Sequence, residues 1–177
     1  MDRSPADHPE DPAMPDPLGP TPTDPGPTPA EIAALRDAIA QARALADAGG
    51  PGIVAAVLAG DRVLAMRPNE VKDRTDPSRH AEIAAMAAAA EVLAQVDLTG
   101  ATLVSTLQPC EMCLGAMRWA GISRVVFAAR QEAVHPKYFQ FGGLTIADFH
   151  AAADKGFAHL GGVLEDEVID LYADGRV

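Results

Sequence analysis

Hydrophobic positions along the chain follow two spacings, one typical of helices and one typical of buried strands. Apolar residues recur every three to four positions after Thr28, where a hydroxyl residue, a proline and Glu31 form the start signals of a helix. Short continuous apolar runs then predict strands, because a strand buried on both faces has no polar side. The first two, residues 53–58 and 62–66, are joined by a Gly-Asp turn that is typical of a hairpin.

Beyond the hairpin, the pattern alternates between helices and strands. The predicted helices are residues 80–96, 111–120, 145–155 and 165–172. The predicted strands are residues 102–107, 123–129 and 159–163. Strands that alternate with helices after an initial hairpin indicate an α/β fold, with a mixed sheet covered by helices on both faces. In such sheets, functional sites lie where helices begin beside the ends of strands.

Residues 1–29 differ in composition from the rest of the chain. They hold ten of the 15 prolines, and six acidic residues against one basic residue give them a charge of −5. A segment with so few large apolar side chains cannot bury enough surface to offset its loss of conformational entropy. We therefore predict a disordered tail over residues 1–29 and one folded domain over residues 30–177. A proline-rich docking ligand is the alternative interpretation of the tail.

The net charge of the chain indicates which classes of partner are expected. Acidic residues outnumber basic ones by 25 to 14, which argues against a nucleic acid as main partner because polyanion binders carry clustered lysine and arginine. Lys72, Arg74 and Arg79 form one basic cluster, interpreted as a solvated loop with an RNA contact as the alternative. Two cysteines exclude a disulfide-rich secreted scaffold. No apolar run of membrane-spanning length and no signal pattern is present, so no membrane partner and a cytoplasmic location are expected.

Two short motifs carry the candidate chemistry. Residues 80–82 read His-Ala-Glu, and residues 109–113 read Pro-Cys-Glu-Met-Cys. The imidazole of His80 and the thiolates of Cys110 and Cys113 suit Zn²⁺, and three protein ligands leave the fourth tetrahedral position for water, as in catalytic zinc sites. Glu82 then stands beside that position as a proton shuttle. A thioredoxin-like redox pair is the alternative for the cysteines, but it does not need the upstream histidine and glutamate.

These motifs resemble those of the zinc-dependent cytidine deaminase superfamily, in particular its branch of guanine deaminases and bacterial tRNA adenosine deaminases. The matching positions are Asn69, residues 76–77, 80–83, 102–107, 109–113, 115–117 and 122–127. The resemblance implies a three-layer α/β/α fold around a central five-stranded mixed sheet, usually in a homodimer. It further implies that residues 30–177 form a deaminase domain, that His80, Cys110 and Cys113 bind zinc, that Glu82 transfers protons and that Asn69 contacts the base.

The resemblance implies hydrolytic deamination of a nucleobase or nucleoside with release of ammonia. Guanine or a related amino-heterocycle is the lead substrate, and tRNA adenosine-to-inosine editing is the alternative. Backbone donors near Ala81 and Cys110 are expected to stabilise the developing tetrahedral centre. Residues 135–141 are rich in aromatic side chains, among them Tyr138 and Phe139, and are interpreted as a pocket wall that stacks a flat ring. Packing of this segment onto its own core is the alternative.

Overall fold

The computed structural model describes residues 26–177, so most of the predicted tail lies outside the described residues. The described helices are α1 Pro29–Asp47, α2 Val71–Arg74, α3 Ala81–Leu93, α4 Glu111–Trp119 and α5 Ile146–Ala152. The described strands are β1 Val54–Ala59, β2 Arg62–Pro68, β3 Ala101–Leu107, β4 Arg124–Ala129 and β5 Ala158–Leu160. Among the residues described, no helix has the length and apolar character needed to cross a membrane.

The five strands form one mixed sheet in the order β2-β1-β3-β4-β5. β1 is antiparallel to both β2 and β3, whereas β3, β4 and β5 are mutually parallel neighbours. Each parallel connection passes through a helix, α4 between β3 and β4 and α5 between β4 and β5. The predicted hairpin and the predicted five-stranded mixed sheet flanked by helices are both confirmed.

Alternating residues of the central strands pack against different helices, as the two-residue period of a strand requires. Leu103, Val125 and Phe127 belong to the core beneath α3 and α4. Val104 and Val126 belong to the core that packs against α1 and against residues 163–177, the C-terminal segment. The sheet is therefore buried on both faces, which explains why its strands read as continuous apolar runs.

The helix predicted over residues 165–172 is wrong. Two 3₁₀ turns, Glu165–Glu167 and Ile169–Leu171, take its place. An α-helix would need the carbonyl of Glu167 to accept from the amide of Leu171, but the guanidinium of Arg43 donates to that carbonyl at 2.6 and 3.0 Å. Arg43 also donates to both carboxylate oxygens of Asp170, so a contact from α1 overrides the local helical pattern.

Glu31 joins the start of α1 to the start of β4. The predicted capping box is present: the Thr28 amide donates to Oε2 of Glu31 at 2.8 Å, and the Glu31 amide donates to the Thr28 hydroxyl at 3.2 Å. The Arg124 guanidinium donates to both carboxylate oxygens, at 2.7 and 3.0 Å. Burial alone would raise the pKa of Glu31, but these donors outweigh it and hold the pKa below its usual value.

We predict that Glu31→Gln destabilises the fold by about 3 kcal/mol, because it removes a buried carboxylate from its ion pair with Arg124. The lowered pKa means that the stabilising charge is fully present above the usual glutamate pKa of about 4.3 and is lost as the pH falls through the folded-state value. Urea unfolding from pH 7 to pH 3 should therefore show a difference between wild type and variant that shrinks with acid. Asp37→Asn, an exposed change on α1, is the control, and a difference that grew in acid would contradict the assignment.

Candidate active site

Two helices begin side by side at the site. His80 is the N-cap residue of α3 and Cys110 is the N-cap residue of α4, which places Cys113 in the first turn of α4. Two contacts between Glu70 and Arg79 close the loop before α3. The Glu70 amide donates to the Arg79 carbonyl at 2.9 Å, and the side chains of the two residues form an ion pair of 2.8 Å. This closure fixes the backbone immediately before His80.

The distances between the three candidate ligands match a tetrahedral zinc site. His80 Nδ1 lies 3.4 Å from Cys110 Sγ and 3.6 Å from Cys113 Sγ, and the two sulfurs are 3.5 Å apart. Zn–S bonds of about 2.3 Å and Zn–N bonds of about 2.0 Å give ligand separations of about 3.5–3.8 Å in a tetrahedron. Within the described part of the chain these three residues form the one group of donors with metal-site spacing, and they fit zinc.

The protonation of the two thiols also favours a cation. Hydrogen bonding with Cys113 lowers the pKa of Cys110 to about 4, although burial opposes the shift. The same hydrogen bond, together with burial, raises the pKa of Cys113. Hydrogen bonding to Cys110 raises the pKa of His80. The pair therefore holds one proton between two sulfurs, and zinc removes the conflict because both sulfurs then bind as thiolates.

Glu82 lies between the ligand cluster and the cavity above it. Its side chain is buried, and Oε2 is 3.3 Å from Cys113 Sγ. Oε1 accepts a hydrogen bond of 3.0 Å from the hydroxyl of Ser105 on β3. Burial raises the pKa of Glu82. A carboxyl group with a raised pKa beside a metal site is suited to taking up and releasing a proton near neutral pH.

A cavity of about 590 Å³ opens above His80, Glu82 and Cys110. Its volume falls in the range of sites that enclose small organic ligands. Asn69 lines the cavity, and its Oδ1 accepts from the Val71 amide at 3.0 Å. That bond orients the amide group and leaves its NH₂ as the donor available to a ligand.

Residues 135–141, the aromatic segment, contribute to the cavity. Of the two residues predicted from this segment to contact the substrate, one lines the cavity. Tyr138 lines the cavity, whereas Phe139 is buried in the core beneath α1 and is not among the lining residues. Phe141, two residues further on, lines the cavity and is 60% exposed. The side chain of Ala81 is buried outside the lining, so Ala81 can offer only the backbone N–H that begins α3.

Sequence reasoning missed two contributions to the site. Ser105 carries no motif and lies inside the buried strand β3 beside another hydroxyl residue, Thr106. Arg176 and Val177 line the cavity from the far end of the chain. The Tyr138 hydroxyl donates to the Val177 carbonyl at 2.7 Å, so the aromatic segment and the C-terminal segment support each other. No local sequence pattern predicts that contact.

Comparison with protein families gives a match over more than half of the chain. The family described as the cytidine and deoxycytidylate deaminase zinc-binding region matches residues 30–129. This range contains all three candidate ligands and Glu82.

Three curated relatives illustrate the range of proteins that share this region. The chain is 40% identical over 113 residues to a tRNA(Ile)-lysidine synthase of Deinococcus deserti, covering 63% of this chain and 20% of that protein. It is 37% identical over 93 residues to a tRNA-specific adenosine deaminase of Agrobacterium fabrum, covering 52% and 61%. It is 37% identical over 81 residues to a guanine deaminase of Bacillus subtilis, covering 46% and 51%. The chain thus spans less than two thirds of each of these relatives.

Solved structures cover more of the chain. A guanine deaminase from Nitrosomonas europaea matches with a TM-score of 0.70 and 28% identity, over 82% of this chain and 83% of that one. A structure from work on tRNA:A34 deaminases matches with a TM-score of 0.65 and 29% identity, over 76% and 95%. The protein NE0047 in complex with 2,6-diaminopurine matches with a TM-score of 0.71 and 29% identity, over 84% and 82%.

We predict that the wild-type chain binds one zinc ion and that Cys113→Ser binds far less, because serine does not supply a thiolate ligand. Zinc content after dialysis, measured by mass spectrometry, checks this. Thermal melting should show that zinc raises the melting temperature of the wild type and leaves that of Cys113→Ser nearly unchanged. Glu91→Gln, an exposed change at the far end of α3, is the control. Stoichiometric zinc in Cys113→Ser would show that the metal lies elsewhere.

Proposed function

The chain belongs to the cytidine and deoxycytidylate deaminase family, and we propose that it hydrolyses the exocyclic amine of a nucleobase or nucleoside. Guanine or a related amino-heterocycle is the lead substrate. The observation that carries the proposal is the position of the buried Glu82 carboxylate. It lies 3.3 Å from a candidate zinc ligand and lines a cavity of about 590 Å³. The proposed deaminase domain spans residues 30–177, since the C-terminal segment also lines the cavity.

In the proposed reaction, His80, Cys110 and Cys113 hold zinc at the cavity floor. Zinc, when bound, supplies the Lewis acidity that makes water a nucleophile at neutral pH. Glu82 takes one proton from the attacking water and passes it to the adjacent ring nitrogen, then takes the second proton from the added hydroxyl and delivers it to the departing amine. The water oxygen becomes the carbonyl oxygen of the product, and the amine leaves as ammonia. Because the thiolate ligands must stay reduced, we place this reaction in the cytoplasm.

The walls of the cavity support a flat heterocycle as substrate. Tyr138 and Phe141 present aromatic surface, which favours stacking on a planar ring. Asn69 offers an oriented amide for the polar edge of that ring. The guanine deaminase from Nitrosomonas europaea and the 2,6-diaminopurine complex of NE0047 share the fold over most of this chain, which favours an aminopurine.

Editing of tRNA adenosine is the second candidate, and cations at the cavity favour it. Lys72, Lys137 and Arg176 line the cavity. Two of them are engaged within the chain: Lys137 donates to the Gly175 carbonyl, and Arg176 pairs with Asp174. Lys72 and Lys137 are therefore the lining cations for which the described part of the chain shows no ion pair. Two lysines give little of the phosphate neutralisation on which RNA affinity depends.

We predict that zinc-loaded wild type releases ammonia from one member of a panel of guanine, adenine, cytosine, their nucleosides, 2,6-diaminopurine and a tRNA substrate. Glu82→Gln should keep its zinc and lose turnover by at least about 10³-fold, because the amide cannot accept and return the proton. Ammonia release and zinc content are measured together.

Glu91→Gln is the matched control, since this glutamate is exposed on the same helix. Its activity should equal that of the wild type. Turnover retained by Glu82→Gln would remove the shuttle role from this residue. Activity confined to tRNA, and weakened steeply by salt, would favour editing over a small substrate.

We propose a homodimer formed through α4. Met112, Gly115 and Trp119 recur at helical spacing on its exposed side, and Trp119 is 94% exposed. A tryptophan left this open to water is costly in a monomer and typical of the centre of an interface. The stripe begins one residue from Glu111, which lines the cavity, so a partner seated there would lie beside the cavity mouth.

Analytical ultracentrifugation should give twice the chain mass of 18.4 kDa for the wild type. We predict that Trp119→Glu shifts the protein to the monomer, because it places a charge at the centre of the apolar contact. Val96→Glu, a similarly exposed change at the end of α3, should leave the mass unchanged. A wild type that sediments as a monomer at all concentrations would refute the dimer.

A further inference from the structure

Two hydroxyl side chains are buried on the central strand β3, and they serve opposite faces of the sheet. Thr106 faces α1, where its hydroxyl accepts from the Val54 amide at 3.1 Å and forms a hydrogen bond of 2.7 Å with the Tyr172 hydroxyl. Ser105 faces α3, where its hydroxyl donates to Oε1 of Glu82 at 3.0 Å. The contacts of Thr106 hold the fold together, whereas the contact of Ser105 ends at the proposed proton shuttle.

Among residues 26–177, Glu82 is the one acceptor that the hydroxyl of Ser105 reaches. Ser105 is fully buried, and the strands on either side place Ala55 and Phe127 next to it. The Leu107 amide approaches the same hydroxyl oxygen at 3.4 Å, but as a donor. A buried hydroxyl without an acceptor is costly, so its proton is committed to the carboxylate of Glu82.

Ser105 also stands where the strand pattern favours an apolar residue. Leu103, Val125 and Phe127 fill the same face of the sheet. A β-branched apolar side chain would suit a buried central strand better than serine does. Serine at this position is therefore explained by its hydrogen bond and not by packing.

We propose that Ser105 is a positioning residue for Glu82: its hydroxyl anchors Oε1 so that Oε2 stays directed at the zinc ligands and the substrate. This inference rests on the proposed function of Glu82. A glutamate side chain has three rotatable bonds, and a helical backbone restricts mainly the first of them. Misplacement of a reacting group by about 1 Å can cost about 10²-fold in rate, so one anchoring bond has a large effect on turnover.

The kinetic test uses zinc-loaded Ser105→Ala and Ser105→Thr with whichever substrate the wild type turns over. Ser105→Ala should lower kcat by about 10- to 100-fold, with KM within about twofold of wild type and zinc content unchanged. Ser105→Thr keeps the hydroxyl and should restore most of kcat. A change in KM alone, or wild-type kcat in Ser105→Ala, would overturn the proposal.

Tyr172→Phe is the matched control for loss of a buried hydroxyl. It removes the hydroxyl that donates to the Gly52 carbonyl and bonds to the Thr106 hydroxyl, yet keeps the ring that packs on Tyr138. We expect a lower melting temperature and unchanged kcat. Equal losses of kcat in Tyr172→Phe and Ser105→Ala would mean that both act through general destabilisation.

A second readout does not need activity. In metal-free protein, Ser105→Ala should lower the melting temperature when Glu82 is present and should have no such effect in a Glu82→Ala background, where the hydroxyl has no acceptor. Equal losses in both backgrounds would show that Ser105 does not hold Glu82. If the wild type releases no ammonia from any substrate, the proposed function fails, while the melting temperatures still decide whether Ser105 anchors Glu82.

Discussion

One constraint determines the candidate active site of this protein: one imidazole, two thiols and one carboxylate must be buried in the same small volume. His80, Cys110 and Cys113 lie at the edge lengths of a zinc tetrahedron, and Glu82 stands 3.3 Å from one of the sulfurs. Hydrogen bonding between the two thiols lowers the pKa of Cys110 and, together with burial, raises the pKa of Cys113, so the two thiols do not ionise together without a cation. Zinc would bind both sulfurs as thiolates, and we expect its binding to raise the stability of the fold.

The sheet positions this cluster through simple geometry. β3 lies at the centre and leads directly into α4, so its C-terminal end delivers both cysteines. The two-residue period of the same strand turns Ser105 toward α3 and Thr106 toward α1. One strand therefore supplies the ligands at its end, a contact to Glu82 on one face and a structural hydrogen-bond network on the other. The cavity walls come largely from irregular segments, which can vary without disturbing the sheet.

Sequence patterns were sufficient for the sheet and for the metal ligands because both depend on local spacing. The apolar runs predicted all five strands, and the His-Ala-Glu and Pro-Cys-Glu-Met-Cys motifs predicted the ligand set. They were insufficient where a distant contact decides the outcome. The contact from Arg43 replaces the predicted C-terminal helix by 3₁₀ turns. The contact between Tyr138 and Val177 holds Tyr138 in the cavity wall, whereas the Phe139 side chain is buried in the core. The hydrogen bond from Ser105 to Glu82 likewise depends on strand register, which no motif records.

X-ray absorption at the zinc edge of the loaded protein would identify the metal ligands without the need for a substrate. We expect two sulfur ligands at about 2.3 Å and two nitrogen or oxygen ligands at about 2.0–2.1 Å, one from His80 and one from solvent. Loss of one sulfur in Cys113→Ser should accompany the loss of affinity. A shell filled by four protein ligands would refute the catalytic site, because it leaves no open position beside Glu82 for water to react.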